Sequence, residues 1–312
     1  MWSDLWTIEN ESVQKVDWLN DRIQPFVMFQ MPDGGWAEFP LGIFIPSTPT
    51  RVDSLGQVVR DVEAYDGLVI LDQDKFVDRT AFSKGTSYRN AVESILRSAG
   101  ISKIKMDFPS KNLPTDKEFG VGDSKLQAIN SLLTEVNMDS LWVDAYGYFV
   151  SDPYKSPAEK NAEFNYIDDE LSILVEGMEE ELDLFEIPNS FVVTVSNPES
   201  APMVSRVENN DPDSIVSIPS RGRKIVDFRE VEQMADQNSL NEYTKRIAFE
   251  ASQVYGRIRF KTPIMPIHEF YDVVRLRYNP LGIDGNFAEM NWTIRLEAGA
   301  QMEHEVRKVV AV

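Results

Sequence analysis

Between Met290 and Glu297 the side chains alternate without a break, with Met290, Trp292, Ile294 and Leu296 on one side and Asn291, Thr293, Arg295 and Glu297 on the other. A period of two suits only an extended chain with one buried face, so the segment predicts a half-buried antiparallel strand. Gln253–Thr262, Tyr271–Tyr278 and Met302–Val310 read as further strands around it, and Ser190–Ser196 (SFVVTVS) as another upstream. The first 80 residues have the same texture. Pro25–Met31 reads as a strand, Pro32-Asp33-Gly34-Gly35 as its turn and Trp36–Ile45 as the returning strand, because Asp-Gly tolerates the positive φ of a hairpin connection. Val58–Tyr65 alternates as well.

Helical spacing begins near Thr80. Tyr88, Ala91, Val92, Ile95, Leu96 and Ala99 recur on one face, with Thr86 or Ser87 to cap the start and Gly100 to end it. A second helix follows Asp123, with Leu126, Ile129, Leu133 and Val136 as its stripe. Leu141–Val143 and Tyr148–Val150 then make a hairpin around Asp144–Gly147, and the prolines of Asp152–Pro157 favour an extended linker. Asn197–Ser220 reads as a long loop or arm, and about Glu230–Ser252 as a helix. The fold class is thus α+β, mainly β: a β unit over 1–80, an α/β module over 81–155, a second β unit over 156–229 and 253–312, and a helical insertion over 230–252.

Composition excludes most chemistry. A chain of 312 residues is long enough for two or three compact units. It has no cysteine, which removes disulfides, thiolate metal sites and cysteine nucleophiles, and its two histidines, His268 and His304, leave little for imidazole chemistry. No apolar run approaches the roughly 18 residues of a membrane helix, and the start lacks a secretory pattern, so a soluble chain made in the cytoplasm is expected, without membrane insertion. Motifs are equally sparse. No phosphate loop or Gly-x-Ser-x-Gly occurs; Gly120-Val121-Gly122 is a turn before a capped helix, and Asp72-Gln73-Asp74 lacks the glycine and glutamate of a calcium loop. His268-Glu269 and His304-Glu305 lack the second histidine of a helical zinc motif and read as structural histidines near strand ends. Carboxylate pairs are too abundant to indicate a glycosidase. No catalytic residue, cofactor or metal is expected.

Charge is the strongest signal. A net charge of −20 argues against binding nucleic acid through its phosphates. The acids concentrate between Glu159 and Glu186, where eleven carboxylates face one base, Lys160. Such a run is ordinarily a solvated surface, and more pointedly a surface that must repel an anion. The basic cluster Arg221-Gly222-Arg223-Lys224 stands out in this acidic chain, and Arg221, Arg223 and Lys224 are expected to meet an acidic surface of a neighbouring subunit. Trp2, Trp6, Trp18 and Trp36 crowd the N-terminal region; they suit an interface or core, or alternatively a carbohydrate-binding face.

The order of these elements resembles a known family. Trp18–Ile23 (WLNDRI), Phe39–Phe44 (FPLGIF), Val62–Asp66 (VEAYD), Gly85-Thr86, Ser98–Ile101 (SAGI), Ser140–Gly147 (SLWVDAYG), Asp183–Val195 and Arg221-Gly222-Arg223 onward are similar to the tail hub proteins of tailed bacteriophages, also called minor tail or baseplate hub proteins. The resemblance spans nearly the whole chain, and its motifs are structural. It implies two barrel-like antiparallel β domains per chain, with an inserted small α/β module and a short helical segment. It further implies a homotrimer at the distal end of the tail in the virion, adapting the six-fold tube and distal tail ring to a three-fold tip. Partners would be the distal tail protein ring, tape measure protein, tail tube and tip or fibre proteins, with DNA passing through a central channel. Similar proteins have more residues before the Phe39-Pro40-Leu41-Gly42 strand, so the first barrel is expected to be incomplete or completed by another chain. In this setting alternation makes Glu179, Glu181 and Asp183 the candidate channel-lining face, where negative charge would keep DNA from sticking. A receptor- or carbohydrate-binding tail-tip protein is the alternative, and a cell-wall hydrolase a weaker one.

Overall fold

The computed structural model describes residues 17–309 apart from 48, 49, 55, 56, 183, 184, 200, 213, 253–255, 271 and 298. The chain is α+β and mainly β. Its N-terminal part pairs as three two-stranded ribbons: β1 (Phe26–Gln30) with β2 (Trp36–Pro40), β3 (Ile45–Pro46) with β6 (Ala64–Tyr65), and β4 (Thr50–Ser54) with β5 (Gln57–Asp61). The first is the hairpin predicted from Asp33-Gly34; Gly34 takes a φ of 87° and Asp33 Oδ1 accepts the Gly35 N–H. Among the described residues these ribbons do not merge into one sheet.

The next unit holds α1 (Leu68–Gln73), β7 (Thr80–Phe82), α2 (Tyr88–Ser98), β8 (Ile104–Met106), β9 (Lys117–Phe119), α3 (Lys125–Glu135), β10 (Trp142–Val143) and β11 (Phe149–Ser151). Local chemistry sets its helices. Ser87 and Ser124 are N-caps whose hydroxyls accept the N–H groups of Asn90 and Gln127, and Gly100, at φ 78°, follows α2 in the left-handed conformation. Ala91, Val92, Leu96, Ile129, Leu132 and Leu133 bury their faces in one core with Tyr88 and Phe149. Burial of this kind dominates the stability of short helices.

Beyond the proline linker, six strands form a curled half-barrel in the order β12 (Phe164–Ile167), β18 (Val273–Tyr278), β19 (Ile283–Ile294), β20 (Gln301–Lys308), β17 (Gly256–Pro263) and β13 (Val175–Leu182). All pairings are antiparallel except β12 with β18. Tyr166, Met178, Ile258, Phe260, Leu276, Phe287 and Val306 fill the concave side. The outermost strands, β12 and β13, do not pair with each other, so the sheet does not close on itself among the described residues.

Three expectations change here. The strand predicted at Ser190–Ser196 does not join the second β sheet. As β14 (Ser190–Val195) it pairs antiparallel with β15 (Val204–Glu208) and parallel with β16 (Val226–Val231), and α5 (Gln237–Ser252) packs on this three-stranded sheet. The supposed loop 197–220 therefore contains β15 and the short helix α4 (Ile218–Arg221), and the helix predicted from Glu230 starts seven residues later because Val226–Val231 is extended. Third, the alternation at Met290 is interrupted. Glu289 pairs with Val306 and Asn291 with Glu305, which leaves Met290 as the extra residue of a β-bulge. Met290 is 42% exposed, while Glu289, from the opposite expected face, is 4% exposed and turned inward.

Candidate functional site

The bulge brings a carboxyl group to the only two histidines in the chain. His304 lies on β20, on the concave face alongside Met302 and Val306, and His268 lies in the connection from β17 to β18 that covers one end of the half-barrel. Their ring centroids are 5.2 Å apart, and the side chains of His268, Glu289 and His304 are all fully buried. Aromatic rings enclose them: Phe260 stacks on His304 at 4.6 Å, Phe164 lies 4.0 Å from His268, and Tyr166 and Trp292 border the pair. His304 Nε2 is 2.9 Å from Thr262 Oγ1, and its Nδ1 is 3.3 Å from each carboxyl oxygen of Glu289. His268 Nε2 is 2.7 Å from the Tyr166 hydroxyl, and its Nδ1 is 3.3 Å from Asp272 Oδ2.

Burial governs the charge states. It pushes the Glu289 carboxyl up to about 8 and the His304 imidazole down to about 4, so neither is readily ionised inside the aromatic cage. Asp272 behaves differently. Burial would raise it, but hydrogen bonds from His268, from Glu163 and from the Glu269 N–H hold it below the usual carboxylate range. Its neighbour Glu163 is in turn pushed up to about 7, first by that shared hydrogen bond and then by burial. Glu163 and Asp272 line a cleft of about 640 Å³ with Asp139, Trp142, Lys160 and Phe270. Two carboxyls in mutual hydrogen-bond contact are closer than the about 5 to 9 Å that glycoside hydrolysis requires.

Two surfaces carry the other residues singled out by sequence. Glu179 and Glu181 stand on the convex side of the half-barrel, opposite the Met178 core side, and Asp183 lies outside the described residues. They do not face a purely acidic field. Glu179 pairs across the sheet with Arg259 and Glu181 with Arg257, and the next strand adds Glu303 and Glu305, giving alternating rows of charge. Arg257 reaches Glu181 and Glu305 at 3.5 Å each, and Arg259 reaches Glu305 at 3.0 Å. Of the carboxylates in 159–186, Glu163 lines the cleft, Asp168, Asp169 and Glu170 follow β12, and Glu179 and Glu181 stand on this ladder. The basic cluster works partly within its own chain. Arg221 donates to the Ile187 carbonyl at 3.2 Å, Arg223 stands over the Phe185 ring and Lys224 pairs with Glu208 at 2.6 Å.

Apolar groups are also left uncovered. The β1–β2 ribbon exposes Phe26, Met28, Phe29 and Trp36, and the three-stranded sheet exposes Val204, Val226 and Phe228. Trp2 and Trp6 lie outside the described residues. The histidine cluster escaped sequence reading because its members are far apart in the chain and meet only through strand pairing. One signal was present: Phe287 and Glu289 are out of phase with Trp292 and Ile294, which a bulge would reconcile.

Half-barrel, α/β module and three-stranded unit on one chain make up a fold shared with bacteriophage tail proteins. A tail protein from Neisseria meningitidis MC58 superposes with a TM-score of 0.65 at 12% identity, over 88% of this chain and 82% of that one. The 43 kDa tail protein of prophage MuSo2 from Shewanella oneidensis gives 0.63 at 11% identity, over 93% and 89%. Prophage tail protein gp18 from Listeria monocytogenes EGD-e gives 0.54 at 14%, over 92% and 84%. No family model and no curated protein matches the sequence.

Proposed function

We propose that the chain is a structural protein of a phage tail, a hub that assembles as a homotrimer at the distal end and joins the tail tube and distal tail ring to the tip. The observation that carries this reading is the likeness of fold to tail proteins over most of both chains. Unfinished surfaces support it. Among the described residues, the uncovered apolar ribbon, the exposed apolar face of the three-stranded sheet and the two unpaired edges of the half-barrel suit a subunit that is completed by neighbours. The distal tail protein, tape measure protein and tip or fibre proteins are the proposed partners within the virion, and Arg223 and Lys224, both exposed, are the proposed contacts to an acidic neighbouring subunit.

The convex ladder carrying Glu179 and Glu181 is the proposed wall of the DNA channel. Its four glutamates, Glu179, Glu181, Glu303 and Glu305, are matched by Arg257, Arg259, Lys261 and Arg307, so it would act by offering no net positive charge for phosphates to hold, rather than by strong repulsion. The role is structural and non-enzymatic. The mass of the purified chain in solution, together with the symmetry of the particle that contains it, tests the reading. Three copies coaxial with a tube are expected. A monomer at the periphery of the tail would overturn it and favour a receptor-binding role for the exposed Trp36 ribbon.

A further inference from the structure

We propose that His268, Glu289 and His304 bind one divalent transition-metal ion of the zinc type inside the half-barrel. One donor atom from each residue lies within 4.8 Å of the other two, and all three side chains are sealed from solvent. The hydrogen-bond pattern sets which atoms face one another. The Thr262 hydroxyl lies 2.8 Å from the Pro263 carbonyl, to which it donates, and 2.9 Å from His304 Nε2, from which it accepts when the imidazole hydrogen sits there. In that tautomer His304 keeps a lone pair on Nδ1. This lone pair points at Glu289, whose two oxygens are equidistant from it at 3.3 Å. A proton on the carboxyl can bridge this contact in the metal-free cage, and a metal ion placed between the same atoms can take that proton's place.

The surroundings agree with this assignment. Thr262 holds His304 from behind, as an outer hydrogen-bond partner fixes a ligating imidazole. Asp272 stands 3.3 Å behind His268 Nδ1 in the same relation, and the Tyr166 hydroxyl lies beside the opposite nitrogen. The bulge at Met290 is the second, independent observation, because it alone turns Glu289 from the wet face into the cage. Two imidazoles and one carboxylate suit zinc, and also cobalt or nickel, rather than the all-oxygen shells of calcium or magnesium. Clefts approach the cage from two sides, one bordered by His268 with Trp292 and Phe270, the other by His304 with Trp292 and Arg259.

The test uses the intact chain, stripped with a chelator, desalted, then titrated with Zn²⁺ and separately with Co²⁺. One ion per chain should remain after gel filtration, and the cobalt form should absorb in the visible as a low-coordinate site does. Glu289→Gln can still donate to His304 Nδ1, so it should fold normally by circular dichroism while losing more than about a hundredfold in metal affinity, beyond what an outer-shell partner contributes. His268→Asn should lose as much, and Glu176→Gln on the exposed surface should lose nothing. If no ion is retained by the stripped chain, or if Glu289→Gln and His268→Asn bind as tightly as the parent, the site does not exist and any binding belongs to surface carboxylates.

Discussion

Two buried glutamates, one in the α/β module and one in the half-barrel, solve the same physical problem in opposite ways. Glu135 ends α3 at 3% exposure and is surrounded by donors: Lys117 Nζ at 3.0 Å, the Tyr88 hydroxyl at 2.7 Å and Gln233 Nε2 at 3.2 Å. Burial pushes its carboxyl up, and the lysine works against that push. Glu289 is as deeply buried but meets an imidazole nitrogen and aromatic faces, with no lysine or arginine hydrogen-bonded to it among the described residues. A compensated carboxylate can tie two units together, as Glu135 does with the segment from Glu232 to Ala235 that leads into α5. An uncompensated one stores an unmet demand, which a proton or a metal can answer.

The contrast is sharpest if the cation is removed. Lys117→Met should cost about 3 to 5 kcal/mol of unfolding free energy, because it strands Glu135 in the interior with a charge it cannot shed cheaply; denaturant titration reads this directly, and a loss below about 1 kcal/mol would mean that Glu135 is neutral and the two sites are alike. Tyr88→Phe removes one donor to the same carboxyl and should cost about 1 to 3 kcal/mol, with Gln233 still in place.

Asp139, at the same junction, tests the pH side of the comparison. Burial pushes its carboxyl up to about 6 although Arg246 stands 3.7 Å away. Since the folded value lies above the unfolded one, the native state binds the proton more tightly. The stability this group contributes is full below about pH 4 and is lost as pH rises toward 6. Asp139→Asn should abolish that term, so the stability difference between variant and parent should move in the variant's favour by about 1 to 2 kcal/mol between pH 4 and pH 7. A difference flat in pH would show the aspartate to be fully compensated. Smallest of all, Glu289→Gln in metal-free buffer should shift stability by less than about 1 kcal/mol, because the amide can hydrogen-bond where the neutral acid does. A loss comparable to that of Lys117→Met would erase the distinction between the two glutamates.

What the sequence made legible follows the range of the interactions. Ser87, Gly100 and the stripe through Ile129 and Leu133 encode α2 and α3 within a dozen residues, and Asp33-Gly34 encodes the first hairpin. The three-stranded sheet was hidden because β14 pairs in parallel with β16 across an intervening strand and helix, and because Val226 and Phe228 turn their apolar side chains outward, inverting the usual pattern. Met290 was misread for a related reason. The alternation was real on either side, but a single inserted residue reverses which face is buried. The convex ladder was half legible: Glu179 and Glu181 share a face as alternation required, but the arginines opposite them come from a strand about 80 residues away.

The position of β13 at the end of the half-barrel gives its glutamates a further role. An unpaired strand offers its backbone to any other unpaired strand, and copies of one chain present identical offers at high local concentration during synthesis. Glu176, Glu179, Glu180 and Glu181 set charged side chains along that edge, a device that opposes edge-to-edge stacking of free chains. Charge along an edge thus leaves a sheet able to end without inviting a second copy to extend it.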